Sequence, residues 1–248
     1  MRITIKLTLI FLLIFSYISF NYIPAYGWAY SSMGTALILI FSYLIWKNKL
    51  LTITGLKISW RNLMQTFGFL IIVTGVSLLL VKYIGSKQGI KLIYNSFGSY
   101  FHVFFYVLNE EIILGGIAIY ILIKNIKLNP LLASFILALF FPIIHFIFYK
   151  YVFLNHGTIQ FPALLTLFFV GFIRNNLIIT NKHVAFSWSL HFGWIAVMFG
   201  TSHYWKEKNR FLTEPECFNV FLGSYEVVIL TGVLAATGLF YMIKKHFS

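Results

Sequence analysis

The amino-acid sequence predicts an all-α polytopic membrane protein with about eight transmembrane helices. Of its 248 residues, 60% are hydrophobic and only 10% are charged, whereas about a quarter of the residues of a soluble domain are charged. The apolar residues also form runs of about 20, the length that a helix needs to cross the hydrocarbon core of a bilayer. A soluble domain is therefore excluded.

Polar residues divide the chain into eight apolar segments. The first follows Met1-Arg-Ile-Thr-Ile-Lys6, and we interpret it as a retained helix because no small-residue cleavage site follows before Gly27. We take residues 1–96 as N-terminal transmembrane helices and 97–248 as the core that contains the site. The predicted helices are 7–25, 28–46, 64–84, 97–123, 130–152, 159–180, 184–201 and 221–243.

The basic residues predict how the chain crosses the membrane. The net charge is +13, but Lys and Arg lie singly or in pairs at the ends of apolar runs, which indicates topology and not a nucleic-acid partner. With a cytoplasmic N-terminus, the inside segments contain twelve of the nineteen Lys and Arg residues. Both termini are therefore expected in the cytoplasm, and the polar loop 202–219 outside.

Two adjacent carboxylates point to a functional site. Glu110 and Glu111 are the only acidic residues in the first 206 positions, and they lie in the middle of an apolar run. Ionised groups at that depth are costly and usually functional. At about 1.5 Å per residue, Glu111, His145 and His191 each lie about 14–20 Å from the end of their predicted helix. The sequence therefore predicts that three helices bring them together at one depth in a buried active-site cavity.

The chemistry of these residues favours a hydrolase that activates water. No Gly-x-Ser-x-Gly nucleophile motif is present in the sequence. A Glu removed from bulk water can act as a general base, while one His orients the water and another donates to the developing oxyanion.

Three motifs resemble those of the CPBP intramembrane proteases, which include type II CAAX prenyl endopeptidases and bacterial bacteriocin-processing or Abi proteins. The run Glu110-Glu111-Ile-Ile-Leu-Gly-Gly116 resembles the first motif, Glu-Glu-x-x-x-Arg. Phe141-Pro-Ile-Ile-His145 is similar to the second, Phe-x-x-x-His, and His191-Phe-Gly-Trp-Ile195 to the third, His-x-x-x-Asn or Asp. The resemblance covers about residues 97–200, with 221–243 fitting a final helix.

The resemblance implies a role for each residue. Glu110 would activate water, with Glu111 assisting it or holding structure; His145 would position the water or the scissile carbonyl, and His191 would stabilise the oxyanion. The family works without a bound metal, so no cofactor is expected, although two His and one Glu would also suit zinc. The expected partners are membrane lipids and a membrane-associated protein or peptide substrate, and the expected location is a bacterial plasma membrane.

The sequence departs from the family pattern at two positions. Gly115 replaces the Arg of the first motif, and Ile195 replaces the Asn or Asp of the third. A cation for the glutamates and an oxyanion donor must therefore come from elsewhere, or the protein is slow or inactive. The candidate substitutes are Asn109, Arg174 with Asn175 and Asn176, and Trp194.

Other interpretations remain open from the sequence. The acidic pair could be a structural ion-pair site, and either histidine alone could be a packing residue. The protein could also be a non-catalytic binding or self-immunity protein, or a proton-coupled transporter. Cys217, in a polar loop, is expected to be incidental, and five histidines are expected to be solvated: His102, His156, His183, His203 and His246.

Overall fold

Long apolar helices make up most of the protein. The structure is a computed structural model that describes residues 12, 14, 28–152 and 157–247. Six of its helices are long and apolar enough to cross a membrane. The helices are α1 (Trp28–Trp46), α2 (Leu50–Ile53), α3 (Trp60–Lys87), α4 (Phe97–Asn125, with π-helical segments Glu111–Ile117 and Ile121–Asn125), α5 (Pro130–Ile147, continued by the π-helix Phe148–Val152), α6 (Phe161–Asn181), α7 (Ala185–Met198), α8 (Glu214–Cys217, continued by the π-helix Phe218–Leu222) and α9 (Tyr225–Phe247).

These helices confirm the multi-pass membrane character of the chain and most of the predicted segments. Six of the eight predicted helices correspond to the six apolar helices of the described residues. The predicted helix 184–201 is shorter than expected, because α7 has only 14 residues before the chain turns into a strand. The predicted helix 7–25 lies outside the described residues, apart from two isolated positions.

Local signals in the sequence explain several helix boundaries. Ser59 caps α3 by accepting a hydrogen bond from the backbone of Asn62. Asn129 caps α5 in the same way, and Pro130 follows at the first helical position, where no backbone donor is needed. At the C-terminal end of α6, Lys182 adopts a left-handed conformation that ends the helix.

A small antiparallel sheet is an element that the sequence did not predict. Its strands are β1 (Ile90–Tyr94), β2 (Thr201–Trp205) and β3 (Arg210–Phe211), in the order β1-β2-β3. The register of β1 and β2 runs from Ile90 opposite Trp205 to Tyr94 opposite Thr201. Because β1 leads into α4 and β2 follows α7, the sheet fixes the start of one helix against the end of the other.

Two of the five histidines that were expected to be solvated are buried. His183 and His203 are each only 2% exposed and are not solvated. The Nε2 atom of His203 lies 2.8 Å from the carbonyl oxygen of Met198, and burial lowers the pKa of this histidine. Cys217 is also buried, within an apolar cluster, and burial raises the pKa of its thiol to about 12. Strands and helix α8 fold the polar loop back over the helix ends, which covers His203 and Cys217. His183 lies instead in the joint between α6 and α7, where its Nε2 contacts the side chain of Asn62.

The glycine pair of α4 permits close contact with the loop after α2. A β-carbon at Gly116 would overlap the carbonyl oxygen of Thr54, so only glycine fits there without a shift of the backbone. A β-carbon at Gly115 would lie 2.6 Å from Cδ1 of Ile178, on α6. Small residues commonly let membrane helices approach each other in this way.

We therefore expect Gly116→Ala to lower the thermal stability of the purified protein, because α4 and the loop must separate; overpacking of this kind costs about 1–3 kcal/mol. Gly75→Ala on α3 is the matched control, since a β-carbon there would meet nothing within 4 Å. Thermal unfolding in detergent should show a lower midpoint for Gly116→Ala and an unchanged or higher one for Gly75→Ala. Equal midpoints for the two variants would contradict the close contact.

Candidate functional site

The two glutamates lie at the centre of the helix bundle. Glu110 ends the first α-helical part of α4, and Glu111 begins its π-helical segment. Both side chains are completely buried. Consecutive helical residues point about 100° apart, so the two carboxylates leave the helix in different directions. Their surroundings accordingly differ.

Glu111 is surrounded by polar groups from two other helices. The Nδ1 atom of His191 lies 3.0 Å from its Oε1, and the hydroxyl of Ser187 donates to its Oε2. Ser187 and His191 are four residues apart on α7 and therefore share one face of that helix. Both carboxylate oxygens of Glu111 are thus occupied.

Arg174 supplies the positive charge beside Glu111. Its Nη1 lies 3.4 Å from Oε1 of Glu111, an ion-pair contact between two side chains that are at most 1% exposed. The guanidinium also lies over the ring of Phe141, 4.5 Å from its centroid. Within the described part of the chain, Nε and Nη1 of Arg174 have no hydrogen-bond partner. The arginine therefore retains donors after pairing with Glu111.

Gly115 provides no cation for Glu111, and Arg174 provides one from another helix. A β-carbon at Gly115 would lie 3.3 Å from Oε2 of Glu111, so a side chain there would approach the same carboxylate. The side chain of Ile178 occupies that space instead. Arg174 reaches Glu111 from α6, and of the proposed substitutes it is the one in contact with the acidic pair.

His191 lies between the two carboxylates. Its Nδ1 faces Glu111, and its Nε2 lies 3.6 Å from Oε2 of Glu110. An imidazolium can donate from both ring nitrogens, whereas a neutral imidazole donates from only one. The ring therefore connects the two acidic side chains through its opposite nitrogens.

His145 belongs to the same cluster through an aromatic contact. Its Nδ1 lies 2.8 Å from the carbonyl oxygen of Phe141, which can only accept, so Nδ1 is the donor. The ring of Phe141 contacts both histidines, with centroid distances of 4.6 Å to His145 and 5.8 Å to His191. The structure thus brings together the four residues that the sequence singled out, selects Arg174 from the candidate substitutes, and adds Ser187.

The remaining substitutes make contacts away from the acidic pair. Asn109 bonds to Thr35 and to the backbone of Ser31 on α1. Asn175 and Asn176 both bond to Ser134, and Trp194 donates to the sulfur of Met198. Ile195 packs in an apolar cluster with Val103 and Val107. None of these contacts places a donor beside the two glutamates.

Two further observations bear on the site. Among the described residues, no group of three or more His, Cys, Asp or Glu side chains is arranged to hold a metal ion. In comparisons with known proteins, no family model, curated protein or solved structure matches this chain.

The ion pair between Arg174 and Glu111 should be detectable as an energetic coupling. We expect Arg174→Met alone to be strongly destabilising, because it leaves a buried carboxylate without its cation; breaking a buried pair from one side costs about 3–5 kcal/mol. The double variant Arg174→Met/Glu111→Gln should cost less than the sum of the two single changes. The measurement is a double-mutant cycle of unfolding free energies in detergent.

The exposed pair of Lys87 and Glu226 is the matched control. Its atoms are 2.8 Å apart, but the side chains are 52% and 33% exposed. Solvated pairs contribute about 0–1 kcal/mol, so the cycle through Lys87→Gln and Glu226→Gln should give the smaller coupling. If the coupling energy between Arg174 and Glu111 is no larger than that between Lys87 and Glu226, Arg174 does not balance the charge of Glu111.

Proposed function

We propose that the protein is an intramembrane endopeptidase, of the CPBP type that its motifs resemble, in which Glu110 activates water. The observation that supports this most strongly is the convergence of Glu110, Glu111 and His191 in a completely buried cluster within the bundle. Burying two carboxylates is costly, and such groups in membrane proteins are usually functional. The substrate is a membrane-associated protein or peptide, and membrane lipids surround the protein.

The two glutamates have different tasks in this mechanism. Both oxygens of Glu111 are occupied by Ser187 and His191, with Arg174 beside them, which suits a positioning role. The resemblance assigns Glu110 as the general base. It removes a proton from a water molecule, and the resulting hydroxide attacks the carbonyl carbon of the scissile peptide bond.

The two histidines have separate tasks in this reaction: His145 orients the water, and His191 exchanges the proton with Glu110. In the neutral ring of His145, Nδ1 is the donor to Phe141, which leaves Nε2 as an acceptor that can orient the attacking water. His191 faces Glu110 through Nε2 and can exchange the abstracted proton with it. When the tetrahedral intermediate collapses, the carbon–nitrogen bond breaks and the proton passes to the leaving amine.

Arg174 is the best-supported donor for the oxyanion. The resemblance places an Asn or Asp at position 195, where this chain has an isoleucine that packs in an apolar cluster. In the described chain, the buried Nε of Arg174 has no hydrogen-bond partner, and its Nη1 has an ion-pair contact with Glu111, so the side chain already faces the cluster. A preorganised donor of this kind is typically worth ~10²–10³ in rate.

No metal enters this mechanism, because the two nitrogens of His191 face carboxylates and Nδ1 of His145 bonds to a backbone carbonyl. Zinc remains a minor alternative from the residue types alone. A bacterial plasma membrane is the proposed location, in line with the family that the motifs resemble. The distribution of Lys and Arg supports the placement of both termini in the cytoplasm.

A second function is favoured by one observation. Ile195 offers no hydrogen-bond donor and is 6% exposed among other apolar side chains. A family member that has lost its oxyanion donor would retain the fold and serve as a membrane binding or self-immunity protein. The two functions differ in whether Glu110 must be able to take up a proton.

We expect Glu110→Gln, His145→Ala and His191→Ala each to abolish proteolysis, because each removes a proton acceptor or donor of the mechanism. Membranes from cells that produce each variant are analysed by mass spectrometry for new peptide termini. Termini that depend on the wild-type protein should disappear in all three variants and persist in Glu226→Gln, a matched change at an exposed glutamate. Termini that persist in all three site variants would exclude the protease mechanism. A cellular phenotype that is the same for Glu110→Gln as for the wild type would favour the binding function.

Ile195→Asn tests whether Arg174 is the oxyanion donor. If it is, an added amide at position 195 brings no gain in the yield of those termini, and it lowers thermal stability because a polar group is buried among apolar side chains. Ile195→Val is the control for a change of packing without a polar group. A large gain in cleavage by Ile195→Asn would instead identify a site that has lost its donor.

A further inference from the structure

One end of the helix bundle has an unusual charge distribution. The joints 53–62 and 181–184 meet there, since the backbone of Val184 bonds to Gly55 and the side chain of Asn62 to His183. The ends of α1, α4, α6 and α9 are the other parts of this surface. We call it the cationic end; its exposed basic residues are Lys47, Lys49, Lys57, Arg61, Lys124, Lys127, Lys182 and Lys244.

No acidic side chain balances these charges within the described residues. The chain has six acidic residues, all of them glutamates. Glu110 and Glu111 are buried in the site. The other four are in or beside the loop with the sheet, as the contact of Glu226 with Lys87 indicates. The charged side chains described at the cationic end are therefore all positive, whereas the opposite end has charges of both signs.

Backbone geometry gives an independent observation at the same surface. Among the described residues, four that are not glycine have a positive φ, and three of them are Lys47, Lys127 and Lys182, at 47°, 63° and 62°. All three follow the ends of helices at the cationic end. Glycine adopts this conformation without steric cost and is the usual residue there. The sequence thus has a cation at three positions where the backbone favours glycine.

The apolar neighbours of these cations identify the partner. Trp60, Leu51 and Ile126 are 73%, 54% and 57% exposed beside the basic residues. Apolar and aromatic side chains interleaved with Lys and Arg are typical of the level of the lipid headgroups. An acidic soluble partner would leave these apolar side chains in water, whereas a bilayer surface covers them.

We propose that the cationic end is a docking surface for anionic phospholipid headgroups, which bridge the lysines at the helix ends. Basic residues near a membrane surface gain free energy from anionic lipids, and the gain decreases with salt. The lipids then hold together the ends of α1, α4 and α6, and two of these helices provide Glu111 and Arg174. This proposal does not depend on the proteolytic function.

The test uses the variant Lys47→Gly/Lys127→Gly/Lys182→Gly in a neutral detergent. Glycine suits the left-handed backbone, so the fold should be retained while three charges are lost. Wild-type protein should be stabilised more by phosphatidylglycerol than by phosphatidylcholine in thermal unfolding. In the variant, the half-maximal phosphatidylglycerol concentration should rise by on the order of 10- to 100-fold, and added salt should reduce the wild-type response.

Two control variants decide the interpretation. Lys82→Gln/Lys91→Gln/Lys206→Gln removes three exposed charges at the opposite end and should respond like the wild type. Lys47→Arg/Lys127→Arg/Lys182→Arg retains the charge and should also respond like the wild type. The proposal is overturned if the glycine variant keeps the full difference between the two lipids, or if the opposite-end variant loses as much. A contribution of these lysines to the helix dipoles alone would change stability equally in both lipids.

Discussion

The arrangement of the bundle depends on neutralising Glu111 inside a membrane-spanning helix. An ion removed from water loses several kcal/mol of solvation, which only close partners can offset. Those partners come from two other helices: Arg174 from α6, and Ser187 with His191 from α7. The carboxylate thus links α4 to α6 and α7, which follow each other in the sequence but are distant from α4. A displacement of any one of them would expose a charge to an apolar interior.

Two features hold these helices at the required separation. Gly115 and Gly116 let α4 approach α6 and the loop after α2, so the backbone near Glu111 lies close to its neighbours. At the end of the bundle, the pairing of β1 with β2 ties the start of α4 to the end of α7. The rise along each helix then determines the depth of Glu111 relative to His191. The sheet and the glycines are therefore part of the site, although neither contains a reactive group.

The sequence was sufficient to place most of the described helices and to single out the four polar residues that cluster in the structure, because the cost of burying charge is a local property. Glu110 and Glu111 are conspicuous in any apolar run, and their depth follows from counting residues. Contacts between helices are harder to predict from the sequence. Arg174, Asn175 and Asn176 are consecutive on α6, and they differ mainly in the direction in which each side chain leaves the helix. Only the structure selects Arg174. Ser187 had a usable signal, four residues before His191, while β1 is a five-residue strand without a clear alternation of polar and apolar residues.

Charge balance explains why two adjacent glutamates can have different roles. Two ionised carboxylates and one guanidinium leave a single negative charge in the cluster. A proton on His191 would cancel it, and because the imidazolium donates from both nitrogens it would serve Glu110 and Glu111 together. Glu111 has Arg174 and Ser187 as additional partners, so a proton that moves from His191 toward Glu110 leaves Glu111 compensated. In the proposed mechanism, the permanent cation beside Glu111 leaves Glu110 available for proton transfer.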